Sequence, residues 1–148
     1  MQIPESVDTS APVVVRHEIT INAPRDRVWN LHADINNWTK WQHDVTDASL
    51  DMPLTPGATF TWTSFGFTVT STVYALEADS RILWGGESGG IMGTHEWTFQ
   101  TIPTGTRVST AESFAGEPVD QAADELRTQL DFSLSSWLTN LKIAAEKD

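Results

Sequence analysis

The chain of 148 residues contains no cysteine, which excludes disulfides, a thiolate nucleophile and thiolate metal ligands. Basic residues are scarce as well. Nine lysines and arginines stand against twenty aspartates and glutamates, for a formal net charge of -11. Nucleic acids and anionic membrane surfaces bind to basic patches, so we expect neither as a partner.

Long apolar runs are also missing, since no segment approaches the roughly 20 consecutive apolar residues of a membrane-spanning helix. We therefore predict no membrane insertion. Residues 1–12 have neither a basic start nor an apolar core, so we expect a flexible N-terminal segment and no signal peptide. The cytoplasm is the default location. The remaining residues, 13–148, are enough for a single domain with a substantial core.

Metal and nucleotide motifs are absent too. The four histidines have no metal-ligand spacing, and no Gly-x-Ser-x-Gly nucleophile motif occurs. Five glycines lie between positions 85 and 93, but neither the helix nor the lysine of a phosphate loop accompanies them. A flap or strand bulges are expected there instead. We predict no metal site and no cofactor.

The C-terminal segment, Pro118 to Lys147, organises the rest of the chain. Its apolar residues recur at the spacing of one helical stripe, and most charged residues fall on the other faces. Pro118 suits a first helical turn, because its missing N–H has no intrahelical partner there. Phe132 and Ile143 lie off the stripe, either as isolated exposed residues or as part of a dimer contact. We therefore expect a monomer or a homodimer.

Strand patterns dominate upstream of this helix. One alternating strand, Val13 to Ile21, precedes two short helical patterns that end near Trp41. From Val45 to Phe114, strands separated by turn residues indicate an antiparallel meander. We predict an α+β fold in which a curved antiparallel sheet of about seven strands wraps around the long C-terminal helix. The two short helices after strand 1 would close one end, and an internal cavity is expected between sheet and helix.

Short segments throughout the chain resemble one superfamily. They are Ile-Asn-Ala-Pro at 21–24, Val28-Trp29, Asp34, Trp38, Trp41, Leu-Trp-Gly at 83–85, His-Glu-Trp-Thr-Phe at 95–99, Gly-Thr-Arg-Val at 105–108 and Glu112-Ser113. Together they resemble the START-like, Bet v 1-like (SRPBCC) superfamily, and within it the bacterial polyketide cyclase/dehydrase and lipid-transport branch. The resemblance runs from Val13 to the C-terminus and implies the helix-grip fold with a cavity for a hydrophobic or aromatic molecule. It contains no catalytic signature, so it specifies the fold better than the activity.

The last hairpin brings two titratable residues together. If residues 102–105 form its loop, Gln100 lies opposite Arg107, and the same register places His95 opposite Glu112. A slip by one residue would move Glu112 to the other face and split the apolar pattern, which favours this register. Imidazole and carboxylate should pair, because either alone is costly to bury as a charge. His95 and Glu112 are the candidate catalytic residues. They would orient a ligand hydroxyl or carbonyl, move a proton, or act only as a buried pair that fixes the register.

Several further residues are expected to face the cavity beside this pair. The predicted ligand-binding residues are Trp41, Phe60, Trp62, Trp84, His95, Trp97, Thr110 and Glu112. Each aromatic member is equally a candidate for ordinary core packing.

Three functions remain open from the sequence. The first is binding of a hydrophobic or aromatic small molecule, lipid- or polyketide-like, in the internal cavity. The second is a polyketide aromatase/cyclase-type enzyme that uses the same cavity, with His95 backed by Glu112 as the proton-transfer group. The third is a protein-interaction or regulatory module without a ligand. A His95 variant that loses turnover but retains binding would favour the enzyme, and loss of binding alone would favour the carrier.

Overall fold

The computed structural model describes residues 3–147 of the chain. The strands are β1 (Val13–Ile21), β2 (Val45–Ser49), β3 (Thr59–Ser64), β4 (Phe67–Glu77), β5 (Arg81–Ser88), β6 (Ile91–Ile102) and β7 (Gly105–Ala115). The helices are α1 (Arg25–Ala33), a 3-10 helix (Ile35–Lys40), α2 (Glu117–Gln121) and α3 (Ala123–Glu146). The strands form one antiparallel sheet in the order β1-β7-β6-β5-β4-β3-β2, curled around α3. The predicted α+β helix-grip architecture is confirmed.

The two short helical segments separate β1 from β2. β1 pairs with β7, so α1 and the 3-10 helix carry the chain from one edge of the sheet to the other. The 3-10 helix packs against β2, and α1 packs against α3. Trp38 anchors this corner, since it is fully buried and its Nε1 donates to the carbonyl of His32 at 2.8 Å. As predicted, the pair closes one end of the curled sheet.

The long helix α3 lies against β1 and β7 with its apolar stripe turned inward. Its buried residues are Leu130, Leu134, Trp137, Leu138, Leu141 and Ala145. The helix is shorter than the predicted segment from Pro118, because the backbone at Ala122 (φ −142°, ψ 34°) leaves the helical region. The residues before that break form α2. On the exposed side, His17 Nε2 lies 2.7 Å from Asp131 Oδ1 and joins β1 to α3.

The hairpin of β6 and β7 has the predicted register. His95 lies opposite Glu112, and the apolar residues keep to one face. The loop is shorter than the predicted four residues, because Ile102 still pairs with Gly105. The pairing upstream is unaffected, since the strands simply continue for one residue more on each side.

The glycines between 85 and 93 lie within a second hairpin. β5 continues to Ser88 and β6 begins at Ile91, so only Gly89 and Gly90 form the turn, with φ of 59° and 85°. A β-carbon on Gly85 would lie 2.1 Å from the carbonyl oxygen of Gly93. These glycines therefore allow two strands to approach closely, and the expected flap is a tight hairpin.

Residues 3–12 form neither helix nor strand and cross the outer face of the sheet. Arg81 Nη2 donates to the carbonyl of Glu5 at 2.6 Å, and the backbone N–H of Asp8 donates to Ser113 Oγ at 3.0 Å. Val7, between these two anchors, is buried. The flexibility of residues 1–12 stays a prediction from composition, but these contacts tie the described part to β5 and β7.

Candidate functional site

An open groove of about 330 Å³ lies between the β3–β4 hairpin, β7 and the first half of α3. This volume is at the lower end of ligand pockets, which span about 300–1,000 Å³. The hairpin contributes Trp62 and Phe67, β7 contributes Glu112 and Phe114, and α3 contributes Phe132. The walls are predominantly apolar, and Glu112 is the titratable group among the described lining residues. The groove therefore combines an aromatic enclosure with one carboxyl group.

Only part of the predicted site lines this groove. Trp62 and Glu112 do so, whereas His95 and Thr110 lie behind Glu112 and contact it or each other. The remaining predicted ligand-binding residues, Trp41, Phe60, Trp84 and Trp97, are buried in the main core. Sequence periodicity identified the inward face of each strand, but it could not show where along that face the packing ends.

The interior behind the groove is filled by aromatic rings. Trp137 of α3 lies at its centre, with ring centroids 5.0 Å from Trp38 and 5.6 Å from Trp97. The Trp62 ring borders both regions: it lies 5.6 Å from Trp84, lines the groove, and donates from Nε1 to Ser71 Oγ at 3.0 Å. The space between sheet and helix, where we expected an internal cavity, is thus occupied by side chains. The open groove lies instead beside the tip of the β3–β4 hairpin.

A chain of close contacts runs from the groove into the core. Glu112 Oε1 lies 3.2 Å from His95 Nδ1, but the two atoms are not aligned for a hydrogen bond, and Nδ1 has no hydrogen-bond partner. On the other side of the ring, His95 Nε2 lies 2.7 Å from Thr110 Oγ1. The His95 side chain is 2% exposed and that of Glu112 is 14% exposed. Glu112 therefore presents one edge to the groove while His95 is sealed behind it.

Burial decides the charge of these groups. It raises the pKa of Glu112 from 4.5 to about 8. Burial, and secondarily the neighbouring His32, lower the pKa of His95 well below 6.5. Burial also lowers the pKa of His32 to about 3; this side chain packs on Trp97 and has no hydrogen bond to either ring nitrogen. At neutral pH the site is therefore a carboxylic acid beside neutral imidazoles.

These shifts predict a stability maximum near pH 6.5. The raised pKa of Glu112 means that its contribution is complete below pH 4.5 and is lost as the pH rises through 8. The lowered pKa of His32 and of His95 acts in the opposite sense, because the unfolded chain takes up protons below pH 6.5. The free energy of unfolding, measured with urea between pH 5 and 9, should rise up to about pH 6.5 and fall above it. The fall should be at most about 1.4 kcal/mol per pH unit. Glu112→Gln should remove the loss of stability above pH 6.5 and steepen the rise between pH 4.5 and 6.5, because the Glu112 contribution declines over the whole range from 4.5 to 8. An unchanged loss above pH 6.5 in that variant would contradict the assignment.

Exposed phenylalanines form a rim around the groove: Phe65, Phe67 and Phe132. Phe67 is 76% exposed and Phe132 is 63% exposed. Phe65 has a φ of 51°, in the left-handed region that non-glycine residues rarely adopt. Two features of the sequence pointed to this rim: an aromatic residue in the Phe65-Gly66 turn, and Phe132 off the helical stripe. Only the fold shows that these residues lie side by side.

The backbone conformation of Phe65 should lower the stability of the folded protein. Phe65→Asn is expected to stabilise the protein by up to about 1 kcal/mol, because asparagine tolerates the left-handed conformation better. The same change removes one aromatic wall and should weaken binding of an apolar probe. Urea unfolding and probe fluorescence together test this. Destabilisation of the variant would contradict the strain argument, and unchanged probe affinity would remove Phe65 from the site.

Another depression, of about 480 Å³, lies on the outer face of β1, β6 and β7. Charged side chains border it, including Arg16, Glu18 and Glu96, and it is more open than the groove. Glu96 is already engaged with Arg81, whose Nε donates to its carboxylate at 2.6 Å. We favour the groove as the ligand site, because predominantly apolar walls with a few polar groups are typical of such sites.

A curled antiparallel sheet closed over a long terminal helix is the helix-grip fold. Residues 12–146 match the sequence model of the family described as polyketide cyclase / dehydrase and lipid transport, so the chain belongs to that family. No curated protein matches the chain in sequence. Among the described residues, no helix is both long enough and apolar enough to span a bilayer.

Solved structures share the fold at low sequence identity. A hypothetical protein from Helicobacter pylori superimposes with a TM-score of 0.82 at 19% identity, covering 99% of each chain. An aromatase/cyclase from a Streptomyces species gives 0.77 at 18% identity, covering 90% of this chain and 93% of its own. A START superfamily protein from Mycobacterium smegmatis gives 0.77 at 10% identity, with 90% and 97% coverage. At such identities the similarity concerns the fold alone.

Proposed function

We propose that the protein binds a hydrophobic, ring-containing small molecule in the groove between the β3–β4 hairpin and α3. The observation that carries this proposal is an apolar groove with an aromatic rim, into which the largely buried carboxyl group of Glu112 exposes one edge. Aromatic side chains that stay largely exposed in a folded monomer mark a surface that something else covers. A flat ring is the shape that contacts several such side chains at once.

The energy of binding would come mainly from apolar burial. Covering apolar surface contributes about 25 cal/mol per Å², so an exposed phenylalanine that packs on a ligand contributes about 1 kcal/mol or more. Glu112 would add orientation, since a buried carboxyl group needs a hydrogen-bonding partner. The ring-filled interior is what the interaction-module hypothesis predicts, whereas the open apolar groove is the observation that supports a small-molecule ligand instead.

The test compares two variants on one helix. Phe132 and Ile143 both lie on α3 and are each 63% exposed, but only Phe132 lines the groove. Phe132→Ala should weaken binding of the uncharged probe N-phenyl-1-naphthylamine about five- to tenfold. Ile143→Ala should leave its affinity within about twofold. Equal effects of the two changes, or no saturable binding to the wild type, would refute the proposal.

An enzyme of the aromatase/cyclase type is the second candidate function. The observation that favours it is a neutral acid at the groove surface with a neutral imidazole 3.2 Å behind it, an arrangement that can give up and recover a proton. The discriminating variant is His95→Gln, assayed with a linear poly-ketone thioester. Loss of cyclised product with retained binding supports catalysis. Product formation at the uncatalysed rate by the wild type supports a carrier.

A further inference from the structure

A hydroxyl group beside His95 decides where the imidazole proton lies. Thr110 Oγ1 is 2.7 Å from His95 Nε2 and 3.0 Å from the carbonyl oxygen of Glu96. Its single proton goes to the carbonyl, because the two oxygens would otherwise face each other without a hydrogen between them. The hydroxyl therefore accepts from Nε2, and neutral His95 carries its proton on that nitrogen.

The opposite ring nitrogen then faces Glu112 as an acceptor. Nδ1 lies 3.2 Å from Glu112 Oε1. In this tautomer Nδ1 has no proton to offer, so His95 does not stabilise a carboxylate at that distance, and an uncharged carboxylic acid is the favoured form. Oε2 lies beside Gly93, 3.7 Å from the position that a β-carbon would occupy. The edge of the carboxyl group that faces the groove is then free to pair with a ligand hydroxyl.

We propose that Thr110 is a positioning residue that keeps Glu112 a carboxylic acid, and that the groove consequently selects uncharged, hydroxyl-bearing ring compounds over carboxylates such as fatty acids. This inference rests on the proposed function of the groove and names the class of ligand that the groove takes.

The charges around Glu112 agree with this selectivity. His95 on β6 contacts Glu112, His32 on α1 acts on His95, and the His17–Asp131 pair joins the neighbouring β1 to α3. The described residues that line the groove include no lysine or arginine, and the stretch 41–80, which contains the β3–β4 wall, has none. A carboxylate ligand would therefore lose its hydration without gaining a counter-charge.

A matched pair of probes tests the ligand class at pH 6.5, where 2-naphthol is uncharged and 2-naphthoate is ionised, as is usual for phenols and carboxylic acids. The wild type should bind 2-naphthol at least about tenfold more tightly. Glu112→Gln imitates the acid, because its amide is uncharged and can accept a hydrogen bond from the naphthol. It should therefore keep the naphthol affinity within about threefold, and a larger loss would mean that the carboxylate is the binding form. Naphthoate binding as tightly as naphthol overturns this inference alone, whereas failure of both compounds and of N-phenyl-1-naphthylamine overturns the proposed function as well.

The role of Thr110 is tested by the titration of Glu112 itself. Its carboxyl carbon signal is assigned as the one that disappears in Glu112→Gln, and its midpoint is followed by NMR. Thr110→Val removes the acceptor, so His95 can carry its proton on Nδ1 and stabilise a carboxylate; the midpoint should fall by about one pH unit or more. Thr110→Ser retains the hydroxyl and should titrate like the wild type, and Thr110→Ala provides a second variant without it. A midpoint unchanged in both hydroxyl-free variants, or lowered equally in Thr110→Ser, refutes the positioning role.

Discussion

Replacing Trp137 by alanine is expected to lower the free energy of unfolding by about 3–5 kcal/mol. The side chain is 1% exposed, and its ring lies within 5.8 Å, centroid to centroid, of Trp38, Trp41 and Trp97. Its removal leaves a void that several rings of fixed shape cannot fill. Since domains of this kind are stable by about 5–15 kcal/mol, the loss would be a large fraction of the total.

Urea unfolding followed by circular dichroism at pH 6.5 measures this effect. Ile143→Ala is the control on the same helix, because Ile143 is largely exposed and the change should cost less than about 0.5 kcal/mol. A loss below about 1.5 kcal/mol in Trp137→Ala would mean that the aromatic interior is loosely packed. The interior could then open to a ligand, and the groove would not be the principal site.

The second large effect concerns binding. Ser133 lies on α3 and lines the groove, whereas Ser135 lies two residues further along, on the exposed side of the same helix. Ser133→Trp should fill a substantial part of the groove, and we expect it to weaken binding of N-phenyl-1-naphthylamine at least about tenfold, because apolar contact supplies most of the affinity. Fluorescence titration of the probe measures the change.

Ser135→Trp is the matched control for this experiment. It adds the same side chain to the same helix, but outside the groove, so the affinity should stay within about twofold. Unfolding midpoints of both variants show whether the helix is intact. Retained probe binding in Ser133→Trp, with normal stability, would place the ligand elsewhere on the molecule.

The arrangement of His95 and Glu112 could be predicted from the sequence because a strand has only two faces. Once the apolar residues of β6 and β7 are matched across the hairpin, only one register keeps them together, and that register sets His95 opposite Glu112. The hairpin loop is shorter than predicted, but the pairing of His95 with Glu112 is the same, because the register is set by the strands on either side of the loop. The stripe of α3 was equally predictable, because helical spacing fixes its buried face.

The position of the groove could not be predicted in the same way. Periodicity assigns Trp84 and Phe67 to the inner face alike, yet Trp84 is buried while Phe67 is largely exposed. The difference depends on tertiary packing: Trp84 packs against Trp38 and His95. Phe67, in contrast, begins β4 beside the turn and lines the groove. The tautomer of His95 also depends on one distance, from Nε2 to Thr110, that pairing rules do not provide.

NMR mapping of N-phenyl-1-naphthylamine binding tests the central claim most directly. With uniformly labelled protein, the largest saturable shift changes should fall on three segments, residues 62–69, 112–114 and 129–133. The indole signal of Trp62 should be among them, since its ring lines the groove. Largest changes on the outer face, around Arg16 and Glu18, or the absence of any saturable change, would contradict the account.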